Sequence, residues 1–349
     1  MIMNSTTNEI PPQGYKMTEL GPLPEEWEVV KMGEVADVVM GQSPPGSSYN
    51  EKGEGLPFLQ GKAEFGSIHP KHIKYTTAPM KIAPKNSVLL SVRAPVGDVN
   101  IADIEYCIGR GLSSLSLKNG NNIFLFYILS NLKGELEKEG TGSIFKAITK
   151  TKLMNFALPL PPLPEQQKIA AVLSAVQEAK EKTQAVIDAT KALKKSMMKH
   201  LFTYGPVPPE ETENVPLKET EIGKVPEEWE VVKLGEVVRE KITDGTHKTP
   251  QYIGNGIPFI TITNIVNGKI DFSKCRFISE EEHNFLINRC KPEKDDVLLS
   301  KVGTLGLTAK ICEKDNFSIF VQLALIKPKK EIINSDFLTY MLNSISIQN

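Results

Sequence analysis

The stretch TELGPLPEEWEVVKMGEV at residues 18–35 returns as TEIGKVPEEWEVVKLGEV at residues 220–237. Fourteen of the eighteen positions are identical at a constant offset of 202, and three of the four differences exchange one apolar residue for another. Self-similarity at so long a period marks one structural unit used twice. Weaker echoes follow in the same order. Pro57-Phe58-Leu59 answers to Pro258-Phe259-Ile260, and Val88-Leu89-Leu90-Ser91 to Val297-Leu298-Leu299-Ser300. The run FLFYIL from Phe124 answers to FLTYML from Phe337. The segments between these echoes differ, so the pattern predicts a shared scaffold that carries two different variable surfaces.

Local patterning gives both copies the same coarse structure. Strands are expected at 27–30, 57–59, 87–92 and 112–117 in the first copy, and at 229–232, 258–262, 296–300 and 320–326 in the second. Short helices are expected at 124–132 and 336–343, with Gly, Pro and Asn clusters between the elements. Each copy therefore reads as a mixed α/β (α+β) domain.

A different kind of sequence joins them. Pro159-Leu160-Pro161-Pro162-Leu163-Pro164 is stiff and extended, and Pro164 suits the first helical position with Glu165 in the first turn. From Glu165 to Tyr204 there is neither Gly nor Pro. Apolar or small residues recur at heptad spacing: Ile169, Val172, Val176, Ala179, Thr183, Val186, Thr190, Leu193 and Met197. At about 1.5 Å per residue this is a rod of about 55–60 Å. A seam sustained over that length asks for a partner helix, with Ile169, Val172, Val176, Val186, Leu193 and Met197 as its pairing face. Two reading heads on a stiff rod would suit two half-sites at a set spacing. The expected organisation is a flexible N-terminus at 1–15, a first domain at 16–158, the Pro-rich lead and long coiled-coil-type helix at 159–205, a linker at 206–217 and a second domain at 218–349.

Composition narrows the function classes. The 349 residues carry a net charge of −1, so nothing global announces a non-specific nucleic-acid binder. Cys107, Cys275, Cys290 and Cys312 form no C-x-x-C pair, and the spacing of Cys275, His283 and Cys290 matches no standard zinc site. The start MIMNSTTNEIPPQ has neither the basic nor the apolar part of a signal peptide, and no apolar run is long enough to span a bilayer. A reduced, cytoplasmic protein with no membrane segment is expected.

At this point the residues resemble a known family. The opening P-x-E-W-E-x-x-K-x-G-E-V, given twice, is similar to the start of each half of type I restriction-modification specificity subunits. FALPLPPLPEQQKIAAVLS, starting at Phe156, resembles the first central conserved region of that family, and TGSIFKAITKTKLMNF before it fits the end of a target-recognition domain. The resemblance covers the chain from about residue 16 onward. It implies two target-recognition domains, each reading one half of a split site in double-stranded DNA, and two long helices that pair antiparallel as a ruler. It also implies modification subunits that supply adenine methylation, and restriction subunits that add translocation and cleavage. The specificity subunit itself does no chemistry and holds no cofactor. The sequence departs from the pattern after the second mirrored helix. It stops at Asn349, so the counterpart of residues 134–205 is expected to be missing. Self-association through the unpaired long helix, as a homodimer, follows as an expectation. The alternative is an assembly or regulatory fragment that docks on the modification subunit, or dimerises, without reading a full bipartite site.

The residues also speak to chemistry directly. No N/D-P-P-Y/F loop for a flipped base is present, and Gly61-Lys62 and Gly223-Lys224 lack the rest of a P-loop. For DNA contact the first copy offers Lys62, Lys71, Lys74, Lys81, Lys85 and Arg93 against only Glu64, with His69, His72 and Tyr75 interleaved. Cations of this kind grip phosphate while planar groups approach base edges. Of these, Lys62, Lys71, His72, Lys74 and Arg93 are the candidates, joined by Lys146 and Lys150 beside a Thr-Gly-Ser turn. In the second copy the polar loop from Lys241 through Thr246, His247 and Lys248 stands where Met40-Gly-Gln-Ser-Pro stands in the first. Ordinary solvated Lys-rich faces and a plain Asp-Gly turn are the competing readings. Trp27 and Trp229 lie in the shared part and read as anchors of the scaffold.

Overall fold

A computed structural model describes residues 11–140, 147–312 and 316–344. The chain divides into two compact units, 1–184 and 185–349, with the boundary inside the long helix.

Unit 1 is built around Val88–Ser91. All four residues of this strand are buried. Side chains alternate across a strand. Accordingly Val88 and Leu90 join the larger core with Leu115, Leu125 and Leu129, while Leu89 joins a second core with Leu59, Ile108 and Leu112. A strand covered on both faces needs a continuous apolar run rather than an alternating one. It sits inside an antiparallel sheet ordered Val99–Ile101, Val88–Ser91, Leu112–Leu117, Ala36–Met40. A second sheet runs Tyr49–Asn50, Lys74–Thr76, Leu56–Leu59, Tyr106–Ile108, Ile82–Ala83, with Leu56–Leu59 and Tyr106–Ile108 parallel. The helix Asn122–Asn131 covers the first sheet through Leu125 and Leu129. Asn121 starts it by accepting from the amides of Ile123 and Phe124, which satisfies two otherwise unpaired donors.

Unit 2 repeats the plan. Its antiparallel sheet is ordered Thr243–Asp244, Leu323–Ile326, Val297–Ser300, Thr308–Lys310, and its second sheet Arg276–Ile278, Ile257–Ile260, Ser318–Ile319, the last two parallel. The same alternation places Val297 with Ile326 and Leu338, and Leu298 with Ile260, Ile319 and Leu323. Asn334 caps the helix Ser335–Leu342 as Asn121 caps its counterpart. One glycine recurs for a steric reason. A Cβ on Gly41 would lie 2.1 Å from the carbonyl oxygen of Gly109, and one on Gly245 would lie 1.9 Å from that of Ile319. In both units the edge strand passes too close to the second sheet for any side chain.

Three expectations from patterning are corrected. The strand expected at 258–262 ends at Ile260, because Thr261 and Asn264 close a tight turn through a 3.0 Å bond from the Thr261 amide to Asn264 Oδ1. The run expected at 320–326 is broken, with Ser318–Ile319 and Leu323–Ile326 in different sheets. The strand expected at 229–232 is not formed. In unit 1 the matching residues make Glu28–Lys31, which pairs with Ala157–Leu160, whereas no described strand lies beside 230–233.

The joining helix is Leu163–Tyr204, 42 residues, or about 63 Å at the usual rise. Gln166 and Ala170 at its start are buried. Val172, Val176, Val186, Leu193 and Met197 are all exposed, and Ile169 is half-buried. Thr183 and Thr190 turn their hydroxyls back onto the carbonyls of Ala179 and Val186, which spares them a partner across the seam.

Candidate nucleic-acid interface

The candidate cations of unit 1 divide by what they already hold. Lys62 is paired with Asp98 at 2.6 Å, and Lys133 reaches the same carboxylate at 2.8 Å. Burial pushes the Asp98 carboxyl up, but the hydrogen bonds from Lys133 and Lys62 outweigh it and hold its pKa below the ordinary value. Asp98 lies in the turn after Val88–Ser91 that also carries the exposed Arg93. Lys71 and Lys74 are exposed, Lys71 just after a turn closed by its amide on the Glu64 carbonyl and Lys74 on the strand Lys74–Thr76. His72 is committed inward. Its Nδ1 lies 3.2 Å from the Tyr106 hydroxyl, which donates to Asp103 at 2.6 Å. Burial first, and then that carboxylate, push the Tyr106 pKa well up, so the phenol stays protonated. Lys150 is exposed at the start of the short helix Lys150–Asn155. Lys146 lies outside the described residues.

In unit 2 Lys241 is exposed just before the strand Thr243–Asp244. Thr246 closes the following turn on itself, its hydroxyl accepting from the Lys248 amide and donating to the Lys248 carbonyl, both at 3.2 Å. His247 Nε2 lies 3.3 Å from Asp244 Oδ2, and Lys248 is exposed. The structure adds two residues that sequence reasoning missed. Arg289 and Lys301 both bind the Asp244 carboxylate and keep much of their own surface in solvent. The hydrogen bond from Lys301, with the charges of Lys301, Arg289 and His247, holds the Asp244 pKa below the ordinary value. One carboxylate thus orients two permanent cations and an imidazole, leaving surplus positive charge at the rim. Lys301 was findable, because it follows the repeated Val-Leu-Leu-Ser directly. Arg289 lies in a stretch without an echo and carried no signal.

Both rims occupy the same place on the scaffold. Gly41 and Gln42 donate to the carbonyls of Leu112 and Ile108, and Gly245 and Thr246 donate to those of Leu323 and Ile319. The next residue in unit 1 is Ser43, whose hydroxyl accepts from Gln60 Nε2 at 3.2 Å and the Arg110 amide at 3.5 Å. Gln42, Gln60 and Arg110 are exposed there. One rim is amide-rich with a single arginine, and the other is a cluster of charged side chains around Asp244. Amide side chains and Arg are suited to paired hydrogen bonds with base edges, and Lys and Arg to phosphate.

The sequence profile of the type I restriction modification DNA specificity domain matches residues 24–189 and again 226–349. The chain belongs to that family. The two matches fall one on each copy of the fold. The type I restriction enzyme MjaVIII specificity subunit of Methanocaldococcus jannaschii is 30% identical over 330 residues, covering 92% of this chain and 76% of the relative. The MjaX specificity subunit of the same organism is 47% identical over 195 residues, which is 55% of this chain but only 46% of that relative's length. The crystal structure of a type I restriction-modification S subunit from M. genitalium superposes with a TM-score of 0.59 at 18% identity, over 92% of this chain and 78% of that one, and shares the fold. Among the described residues no helix is long and apolar enough to cross a membrane.

Proposed function

We propose that this chain reads DNA sequence for a cytoplasmic type I restriction-modification complex. The recognition domains are 16–158 and 218–349, each takes one half of a bipartite site, and the long helix sets the gap. The chain does no chemistry. Modification subunits supply methylation, and restriction subunits supply translocation and cleavage. One observation carries this reading: a single scaffold, used twice, presents two rims of different chemistry at the same place, Gln42, Gln60 and Arg110 against His247, Arg289 and Lys301. Shared scaffolds with divergent loops are where specificity resides.

Mixing the chain with a modification subunit and mapping methylated sites tests it. Methylation by the mixture alone, at two separated half-sequences, is the expected result. Methylation by the chain alone, or by the mixture without sequence preference, overturns the reading. Charge reversal at Lys71, Lys74 and Arg93 together is expected to weaken DNA binding. It should also flatten the salt dependence by about 0.9 in log–log slope for each phosphate no longer neutralised. An unchanged slope would reduce that patch to a solvated face.

The exposed seam of Val172, Val176, Val186, Leu193 and Met197 pairs, in this proposal, with a second long helix, most simply that of another copy in an antiparallel homodimer. Sedimentation of wild type against Val176→Glu and Leu193→Glu tests it. A wild-type monomer at micromolar concentration, with the helix intact by circular dichroism, rules the dimer out.

A further inference from the structure

Unit 1 shows how the repeated Trp-Glu-Val-Val-Lys segment is completed. Glu28–Lys31 pairs antiparallel with Ala157–Leu160, Ala157 opposite Lys31 and Leu160 opposite Glu28. The Met32 amide donates to the Phe156 carbonyl at 2.9 Å. Beyond the strand, Trp27 Nε1 donates to Glu165 Oε2 at 3.0 Å. Gln166 accepts from the Asn121 amide at 3.0 Å and donates to the Pro161 carbonyl at 2.8 Å. In this closed arrangement Leu158 and Met32 are 0% exposed and Phe124 is 2% exposed.

Unit 2 carries the same receiving residues with no such strand beside them among the described residues. Trp229, Val231, Val232, Leu234, Asn334 and Phe337 answer to Trp27, Val29, Val30, Met32, Asn121 and Phe124. They line a groove of about 1530 Å³. Val232 is 47% exposed and Phe337 39%. Among the described residues nothing accepts from Trp229 Nε1. Lys194, Lys195 and Lys199 line the same groove and give it positive charge.

We propose that this groove is a receptor for an extended Leu-Pro strand ending in an acidic turn, with the chemistry of residues 156–166, supplied by a segment outside the described residues. The strand would add its backbone to that of 230–233 and its alternate apolar side chains to the groove, which is the usual logic of strand addition. Its Glu would meet the Trp229 indole, and its Gln the Asn334 amide. A second copy of this chain is the poorer donor, because its own 156–166 is already consumed in closing its unit 1.

The test uses the full chain and a fluorescein-labelled synthetic peptide of sequence NFALPLPPLPEQQK, with no DNA present. Saturable one-to-one binding by anisotropy is expected, together with slowed hydrogen exchange at the amides of Val231 and Val232. Val232→Glu, at an exposed position, is expected to keep the wild-type melting temperature and to weaken binding at least tenfold. A peptide carrying Asp in place of its first Leu should bind at least tenfold more weakly, and one carrying Gln in place of Glu severalfold more weakly. No saturable binding to the folded chain overturns the proposal. So does binding that is indifferent to Val232→Glu. A self-association that Val232→Glu abolishes and the peptide fails to displace also overturns it, and assigns the groove to a second copy.

Discussion

Glu-Val-Val-Lys occurs at 28–31 and at 230–233 in nearly identical surroundings of sequence, and only the first is a strand. Propensity is the same for both, so propensity does not decide. What differs is a partner. In unit 1 the backbone groups of Glu28–Lys31 are taken up by Ala157–Leu160, while in unit 2 no described strand is at hand. A strand is a relation between two segments, and a segment with half of its ladder missing keeps its sequence but not its secondary structure. The same lesson runs through the residue before each Val-Leu-Leu-Ser strand. In unit 1 it is Ser87, which donates to the Pro84 carbonyl at 2.7 Å. In unit 2 it is Asp296, buried and held by Lys327 at 3.1 Å and Arg239 at 2.9 Å.

The sharpest way to break the comparison is a charge placed in each seam. Leu158→Asp puts an unpaired carboxylate where a fully buried leucine sat. It forfeits the leucine's packing, about 2–5 kcal/mol, and adds the cost of a buried charge. Urea unfolding should show unit 1 losing at least about 5 kcal/mol, or failing to fold. Val232→Glu on the open side should change stability by no more than about 0.5 kcal/mol. Equal losses at the two sites would mean that the two seams are closed alike and that the comparison fails.

Next in size is the pair flanking the repeated strand. Asp296→Ala takes one of two carboxylates from the nearly buried ammonium of Lys327, leaving Glu293 at 2.8 Å, and should cost unit 2 about 1.5–3 kcal/mol. Ser87→Ala removes one neutral hydrogen bond and should cost unit 1 about 1 kcal/mol. Comparable values, measured by the same unfolding method, would erase the distinction between a charged and a neutral solution to one position.

The smallest effect lies at the two rims. Asp244 has its pKa lowered by Lys301, Arg289 and His247, so the stability it contributes is present above the unfolded carboxylate's pKa and is lost as pH falls through the lower folded value. Asp244→Asn should therefore lower the melting temperature slightly at pH 6, by the equivalent of less than about 1 kcal/mol because the cations are solvent-exposed, and the gap should close below pH 3.8. Unit 1 has Met40 at the matching position and should show no such dependence at that rim. A gap between wild type and Asp244→Asn that does not narrow at all as pH falls below 3.8 would point to packing rather than charge.

The sequence by itself determined the plan. An eighteen-residue repeat, echoed by Val-Leu-Leu-Ser and by the FLFYIL and FLTYML helices, required two copies of one α/β scaffold. Forty residues without Gly or Pro between them required one long helix. These signals are legible because they are local: apolar periodicity, helix caps and the absence of breakers act over a few residues. The tertiary structure alone decided which candidate cations are spoken for. Lys62 is bound to Asp98 and His72 to Tyr106, partners 36 and 34 residues away in sequence. It alone brought Arg289 and Lys301 onto Asp244, across 45 and 57 residues. And it alone decided that one Glu-Val-Val-Lys is a strand and the other is not, because a hydrogen-bond ladder and a salt bridge are set by what arrives from far along the chain.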